Sequence, residues 1–122
     1  MSNSVGWFEI YVDDMARAKA FYEQVFGVRL SKLDNPELEM LAFPSQQDVY
    51  GAPGALVRMP GFDAGANSVL VYFTCADCAV EAVKAAKFGG RIKKPKKSIG
   101  QYGHIALVID TEGNMIGLHS MQ

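Results

Sequence analysis

The sequence predicts an α+β domain in which a βαβββ unit is written twice, the copies pairing into one curved eight-stranded sheet with helices outside. A repeat, its bordering patterns and its turns predict this. Residues 14–30 (DMARAKAFYEQVFGVRL) resemble residues 77–92 (DCAVEAVKAAKFGGRI), so Asp14 aligns with Asp77 and Phe26-Gly27 with Phe88-Gly89, after one deletion in the second copy. Each copy follows a run of strand character and stops at a glycine. Three short β-prone runs then follow in each half.

The elements come in the same order twice. A strand over 5–12 opens the chain, and alternation sets Trp7, Glu9 and Tyr11 on one face and Phe8, Ile10 and Val12 on the other. Asp14 is placed to cap a helix, because its carboxylate can accept from the free amides of the first turn. Met15, Ala18, Phe21, Tyr22, Val25 and Phe26 recur at helical spacing as one apolar stripe. Gly27 suits a left-handed stop. Strands are expected at 28–33, 38–43 and 54–59, and the Gly/Pro-rich run QQDVYGAPGAL (46–56) reads as a plain connection or, by its composition, as a rim over the concave face of the sheet. The second copy repeats the grammar with a strand at 68–74, a cap at Asp77, a stop at Gly89, and strands at 90–93, 102–109 and 114–119, the last two joined by a TEGN turn. PGFDAGAN (60–67) lacks any period and reads as the connection. The chain is expected to be one domain, 1–122, with module one at 1–60, a linker at 61–66 and module two at 67–122.

Composition narrows the partners. Apolar residues make up 49% and charged residues 20% of 122 residues, an ordinary globular balance. The net charge of −1 gives no footprint for nucleic acid or an anionic membrane. The basic run RIKKPKK (91–97) contains a proline and reads as a solvated loop. No apolar run approaches the ~20 residues that span a bilayer, and MSNSVGW lacks the pattern of a signal peptide, so a cytoplasmic location is expected. Cys75 and Cys78 form a lone C-x-x-C without a second ligand pair, which does not make a zinc site and only weakly suggests redox chemistry.

FEIYVDDMARAKAFYEQVFG near the start and GHIALVIDTEGNMIGLHS near the end, in particular V-x-D-x-x-x-A-x-x-FY-x-x-x-FG and D-x-x-GN-x-I-x-L, carry a resemblance. Over nearly its whole length the chain resembles the vicinal oxygen chelate superfamily, which comprises glyoxalase I, fosfomycin and bleomycin resistance proteins and extradiol dioxygenases. The resemblance implies a cup-shaped sheet, often in a homodimer, but no single reaction. Metal-dependent members carry a His seven residues before the helix-opening Asp and a Glu in the closing GN-x-I-E-L. Here those places hold Trp7, Leu70 and Gly117, and the remaining position falls within GALVRMP (54–60), which contains no ligating residue. No metal or other cofactor is therefore expected.

Glu9 lies two residues beyond the ligand position, on the same face, and should point into the cup beside Trp7 and Tyr11. A carboxylate among aromatics is poorly solvated unless a cation compensates, and Arg58 is the candidate partner. The alternative is an Arg58 solvated at a strand end. His119 and Gly117 share a face on the last strand, Gly117 opening space for a ligand and His119 facing the cup or merely hydrogen-bonded near the terminus. His104 fits a strand entrance. Tyr72 is the module-two neighbour of this region. The expected ligand-binding set is Trp7, Glu9, Tyr11, Arg58, Tyr72, Gly117 and His119, around an unidentified small molecule. A binding protein without metal is the favoured function. The alternative is a metal-independent isomerase or lyase with Glu9 as general base and His119 as its acid/base partner.

Overall fold

The computed structural model describes residue 3, residues 5–67 and residues 69–122. The elements follow the predicted order: β1 (Phe8–Tyr11), α1 (Met15–Phe26), β2 (Ser31–Leu33), β3 (Glu39–Ala42), β4 (Gly54–Arg58), β5 (Tyr72–Thr74), α2 (Cys78–Lys87), β6 (Arg91–Ser98), β7 (His104–Ile109) and β8 (Met115–Ser120). Among the described residues the eight strands form two four-stranded sheets, β1-β4-β3-β2 and β5-β8-β7-β6, rather than one continuous ladder. In each sheet the first strand runs parallel to the last, and the other pairs are antiparallel. The two copies thus share topology as well as sequence, and the fold is the α+β βαβββ duplication.

The helices begin and end where the sequence places them. The Asp14 carboxylate accepts from the Arg17 amide at 3.1 Å and the Asp77 carboxylate from the Ala79 amide at 3.0 Å. Gly27 closes α1 at φ 64°, a left-handed conformation that costs a Cβ-bearing residue strain. The stripe from Met15 to Val25 is buried against Ile10, Val12 and Leu56 of its own module and Ala82, Ala85, Ala106, Val108, Ile116 and Leu118 of the other. One core therefore serves both modules. Phe21 and Tyr22 are its largest fully buried side chains, and truncating either to Ala should cost about 3–5 kcal/mol.

A polar clasp built from the turn between β7 and β8 ties the modules together. Asp110 accepts from the amides of Glu112 and Asn114 and from the Tyr22 hydroxyl of α1 at 2.7 Å. Burial pushes the Tyr22 hydroxyl well up, and the Asp110 carboxylate adds to that shift. The Glu112 carboxylate accepts from the amides of Asp13 and Asp14, from Thr111 and from the Arg17 guanidinium. Burial alone would raise its pKa, but these donors outweigh it and hold the carboxyl at about 2. Asn114 donates to the Tyr11 carbonyl at 2.8 Å and accepts from the Gly65 amide at 2.7 Å, joining β1, the linker and β8.

The structure differs from expectation in places. The basic run is not a loop: the strand expected at 90–93 is there and continues through it as β6, at the edge of its sheet. Pro95 sits where the register with β7 slips between Ile92 and Lys97, so its missing amide breaks no regular ladder. The flanking lysines blunt the open edge. The strand expected at 68–74 is regular only over Tyr72–Thr74, and its predicted first residue lies outside the described residues. Residue 102, expected in a strand, closes a 3-10 turn over Gly100–Tyr102. Among the described residues no helix is long and apolar enough to cross a membrane.

Candidate ligand-binding site

Strand parity fixes which side chains leave the core. Ile10 of β1 and Leu56 of β4 point to the helices, so Glu9 and Tyr11, with their register partners Ala55 and Val57, occupy the opposite face. In module two Ile116 and Leu118 point to the core, and Met115, Gly117 and His119 lie opposite. At the module junction, between β1 and the start of β8, is a pocket of about 270 Å³ lined by residues of both strand faces, Glu9 and Tyr11 together with Ile10, and Met115 with Ile116, and by Phe62, Asp63, Asn67, Val69 and Asn114. One wall is β1, another the start of β8, and the linker crosses between them.

The pocket's aromatic floor is the Tyr11–Phe62 stack, with ring centroids 5.5 Å apart at an interplanar angle of 26°. Its polar group is Glu9, whose carboxylate accepts from the Trp7 indole at 3.1 Å and from the Tyr11 hydroxyl at 3.0 Å. Burial, then the hydrogen bond and charge of Glu9, raise the Tyr11 hydroxyl's pKa, so Tyr11 stays a donor. Glu9 is exposed and held by neutral donors, not by a cation. Asp63 adds a second carboxylate, and the described lining contains no Lys, Arg or His. Asn67 holds the rim by donating to the Val69 and Met115 carbonyls.

Of the expected set, Trp7, Glu9 and Tyr11 are together. Arg58 is not with them. It shares the core-side parity of Gly54 and Leu56, and it pairs with its cross-strand partner Glu39 at 3.4 Å while donating to the Asp13 carbonyl at 3.1 Å. Gly117 does not open space, because the Tyr72 ring lies where its Cβ would stand. Tyr72 itself is half-exposed and lines a different cleft. His119 donates from Nε2 to the Tyr102 carbonyl at 2.7 Å and lies outside the pocket, so it does not converge with Glu9. His104 opens β7, as expected. The loop expected to rim the cup instead borders the helix side, with Tyr50, Gly51 and Ala52 beside Phe8 and Phe26. Phe62, Asp63 and Asn67 were missed because they belong to the unpatterned linker. In the sequence Asn114 shows as a turn residue and as part of the D-x-x-GN motif, and neither signal marks it as a pocket wall. Burial, then the Glu81 carboxylate, push the Cys75 thiol up to about 12, the opposite of a reactive thiol, and Cys78 is sealed in the core.

The sequence profile of the Glyoxalase/Bleomycin resistance protein/Dioxygenase superfamily matches residues 4–118. The chain belongs to that superfamily. Among solved structures, it is 25% identical to TnmS3, an antibiotic binding protein from Streptomyces sp. CB03234, covering 98% of each chain with a TM-score of 0.69. A glyoxalase/bleomycin resistance protein from the same organism is 24% identical over 96% of this chain and 100% of its own, with a TM-score of 0.69. A glyoxalase I mutant from Zea mays is 20% identical with a TM-score of 0.73; the match covers 95% of this chain but only 45% of that one. No curated protein gave a match. Within the superfamily fold, register equates the β1–β4 pair Glu9/Ala55 with the β5–β8 pair Tyr72/Gly117. The position that sequence could place only within 54–60 is thus Ala55, the counterpart of Gly117.

Proposed function

We propose that this superfamily member is a small-molecule-binding protein that works without the metal site of its metal-dependent relatives. The donor set does not fit a metal: Trp7, Ala55, Leu70 and Gly117 carry no ligating side chain. Among the described residues no group of three or more His, Cys, Asp or Glu is placed to hold an ion.

The observation that carries the reading is the junction pocket itself. A stacked Tyr11–Phe62 platform lies beside Glu9 and Asp63, with no cation in the described lining. A concave apolar site with a few polar groups is the common form of a small-molecule site. This one suits a ligand with a flat apolar part and a cationic or hydroxyl group that can donate to Glu9. Likeness to an antibiotic binding protein over nearly the full length of both chains supports the same class. The enzyme alternative has less support, because Glu9 is exposed and His119, its expected partner, is engaged elsewhere.

The test uses Trp7, the sole tryptophan, whose indole touches Glu9. Its fluorescence should change on titration with a binding antibiotic chosen by thermal shift from a panel that includes bleomycin. Glu9→Gln keeps the shape and removes the charge. It should weaken binding about tenfold or more, as expected for a charged hydrogen bond, while the melting temperature moves by only a few degrees. Unchanged affinity would remove Glu9 from the site. Turnover of the bound compound, lost in Glu9→Gln, would replace binding with catalysis.

A further inference from the structure

We infer that the junction pocket is one end of a longer site, whose ligand carries an uncharged apolar arm along the seam between β1 and β5 into a cleft walled by Phe8, Phe26, Phe43 and Phe73. This rests on the junction pocket holding a small molecule, as proposed above. It adds the shape of that molecule: a cationic or hydroxyl head and an arm that ends in an apolar group.

The seam is where the modules meet. β1 and β5 each end their own sheet, and among the described residues no ladder joins them. Phe8 of β1 meets Phe73 of β5 edge-on at 6.0 Å. Two cavities open along the seam. The junction pocket of about 270 Å³ takes in Ile10 and Val71, and a cleft of about 320 Å³ takes in Phe8 and Val71. Phe8 and Ile10 are two residues apart on one face of β1, roughly 7 Å along the strand. The cavities are therefore neighbours, and Val71 is the one described residue that lines both. Its backbone is pinned, because its carbonyl accepts from the Gly117 amide at 2.8 Å. The size of its side chain then sets how freely the two cavities communicate.

The two ends differ in chemistry. The junction end offers Glu9, Asp63 and the Tyr11–Phe62 stack. The other end is aromatic: Phe26 and Phe73 stack at 4.4 Å, and Phe43 lies 5.6 Å from Phe73. These rings pack on the core but are only partly buried, so ring surface is left towards the cleft. Glu81 is the one charged side chain in the cleft's described lining, and its Oε1 is shut off from water, so that oxygen offers an arm nothing to pair with. A molecule confined to the junction pocket would leave the phenylalanines against water. A molecule that spans Val71 gains their burial as well.

Benzylamine, para-propylbenzylamine and para-(phenylbutyl)benzylamine share one head and differ in the arm. Each is titrated into the full chain by calorimetry, and into the chain carrying fluorine-labelled phenylalanine. All three should change the Trp7 fluorescence and shift Phe62. Only the phenylbutyl compound should also shift Phe43 and Phe73, at one molecule per chain. It should bind about tenfold or more tightly than benzylamine, since each methylene taken out of water is worth up to roughly fourfold. Val71→Met narrows the passage and should bring the ratio of the two affinities down towards one. If Val71→Met does not fold, as checked by circular dichroism, the series on the native chain still decides. Equal affinities across the series, silent Phe43 and Phe73, two molecules bound per chain, or an unchanged ratio in a folded Val71→Met would each overturn the longer site. In those cases a Trp7 response to benzylamine leaves the junction pocket standing. No response of Trp7 or Phe62 to any of the three would overturn both.

Discussion

Glu112→Gln tests the clasp between the modules. The Glu112 side chain is 0% exposed and takes donors from Asp13, Asp14, Thr111 and Arg17. Gln keeps the shape, but it has one accepting oxygen, and its amide hydrogens face amide donors. The carboxyl drops from its ordinary 4.5 to about 2 in the folded chain. At roughly 1.4 kcal/mol per tenfold, that shift is on the order of 3 kcal/mol, nearer ~2 after allowing for solvent screening of the half-exposed Arg17. For a chain of this size the melting temperature should fall by about 6–15 °C at neutral pH. The sign against pH follows from the depressed value. This stability is fully present above the unfolded value and is lost as pH falls from about 4.5 towards about 2. Asp110 acts in the opposite sense, because burial raises it despite its hydrogen bonds from Tyr22 and Asn114. The difference between wild type and variant therefore isolates Glu112. Thermal unfolding by circular dichroism from pH 7 to about pH 2.5 should show two curves that converge towards acid. Parallel curves, or a neutral-pH difference within about 2 °C, would refute the reasoning.

Elemental analysis of untagged protein prepared without chelator should find no stoichiometric Zn, Ni, Mn or Fe, and one such ion per chain would refute the metal-free reading. Light scattering at micromolar concentration should find a dimer, since Val69 and Tyr102 are 73% and 66% exposed and each sheet ends in open edges. A species of 13.3 kDa alone would refute that.

Much of the fold is legible because its signals are local. An Asp cap, an apolar stripe and a glycine stop are written within single helices, and both copies carry the cap and the stop. What the sequence hides depends on partners far along the chain. Beyond residue 93, β6 looks like a loop because lysines and a proline carry no period, and its strand character there comes from pairing with β7. Arg58 shows the same limit at the site. Alternation groups it with Gly54 and Leu56, but only the register Phe8↔Gly54 reveals that this group faces away from Glu9. Gly117 looked like open space because a glycine's neighbour across the sheet is invisible until Tyr72 is paired with it.

The repeat also explains why the pocket lies where it does. A duplicated sheet offers its outward face twice, with Glu9 beside Ala55 in one copy and Tyr72 beside Gly117 in the other. In the second copy the Tyr72 ring lies over Gly117 and takes up the space a glycine would leave. In the first, Ala55 is small and buried, and Glu9 reaches past it into the pocket between its own strand and β8. The other walls come from segments with no counterpart in the repeat: Phe62, Asp63 and Asn67 from the single linker, and Asn114 from the turn that also clasps the modules. In the proposed site, specificity would therefore rest on the non-repeated parts, with the repeated parts holding them in position. A change in the linker, such as Phe62→Ala, removes half of the aromatic stack while touching no residue of the buried core. By this reasoning it should alter ligand choice before it alters stability.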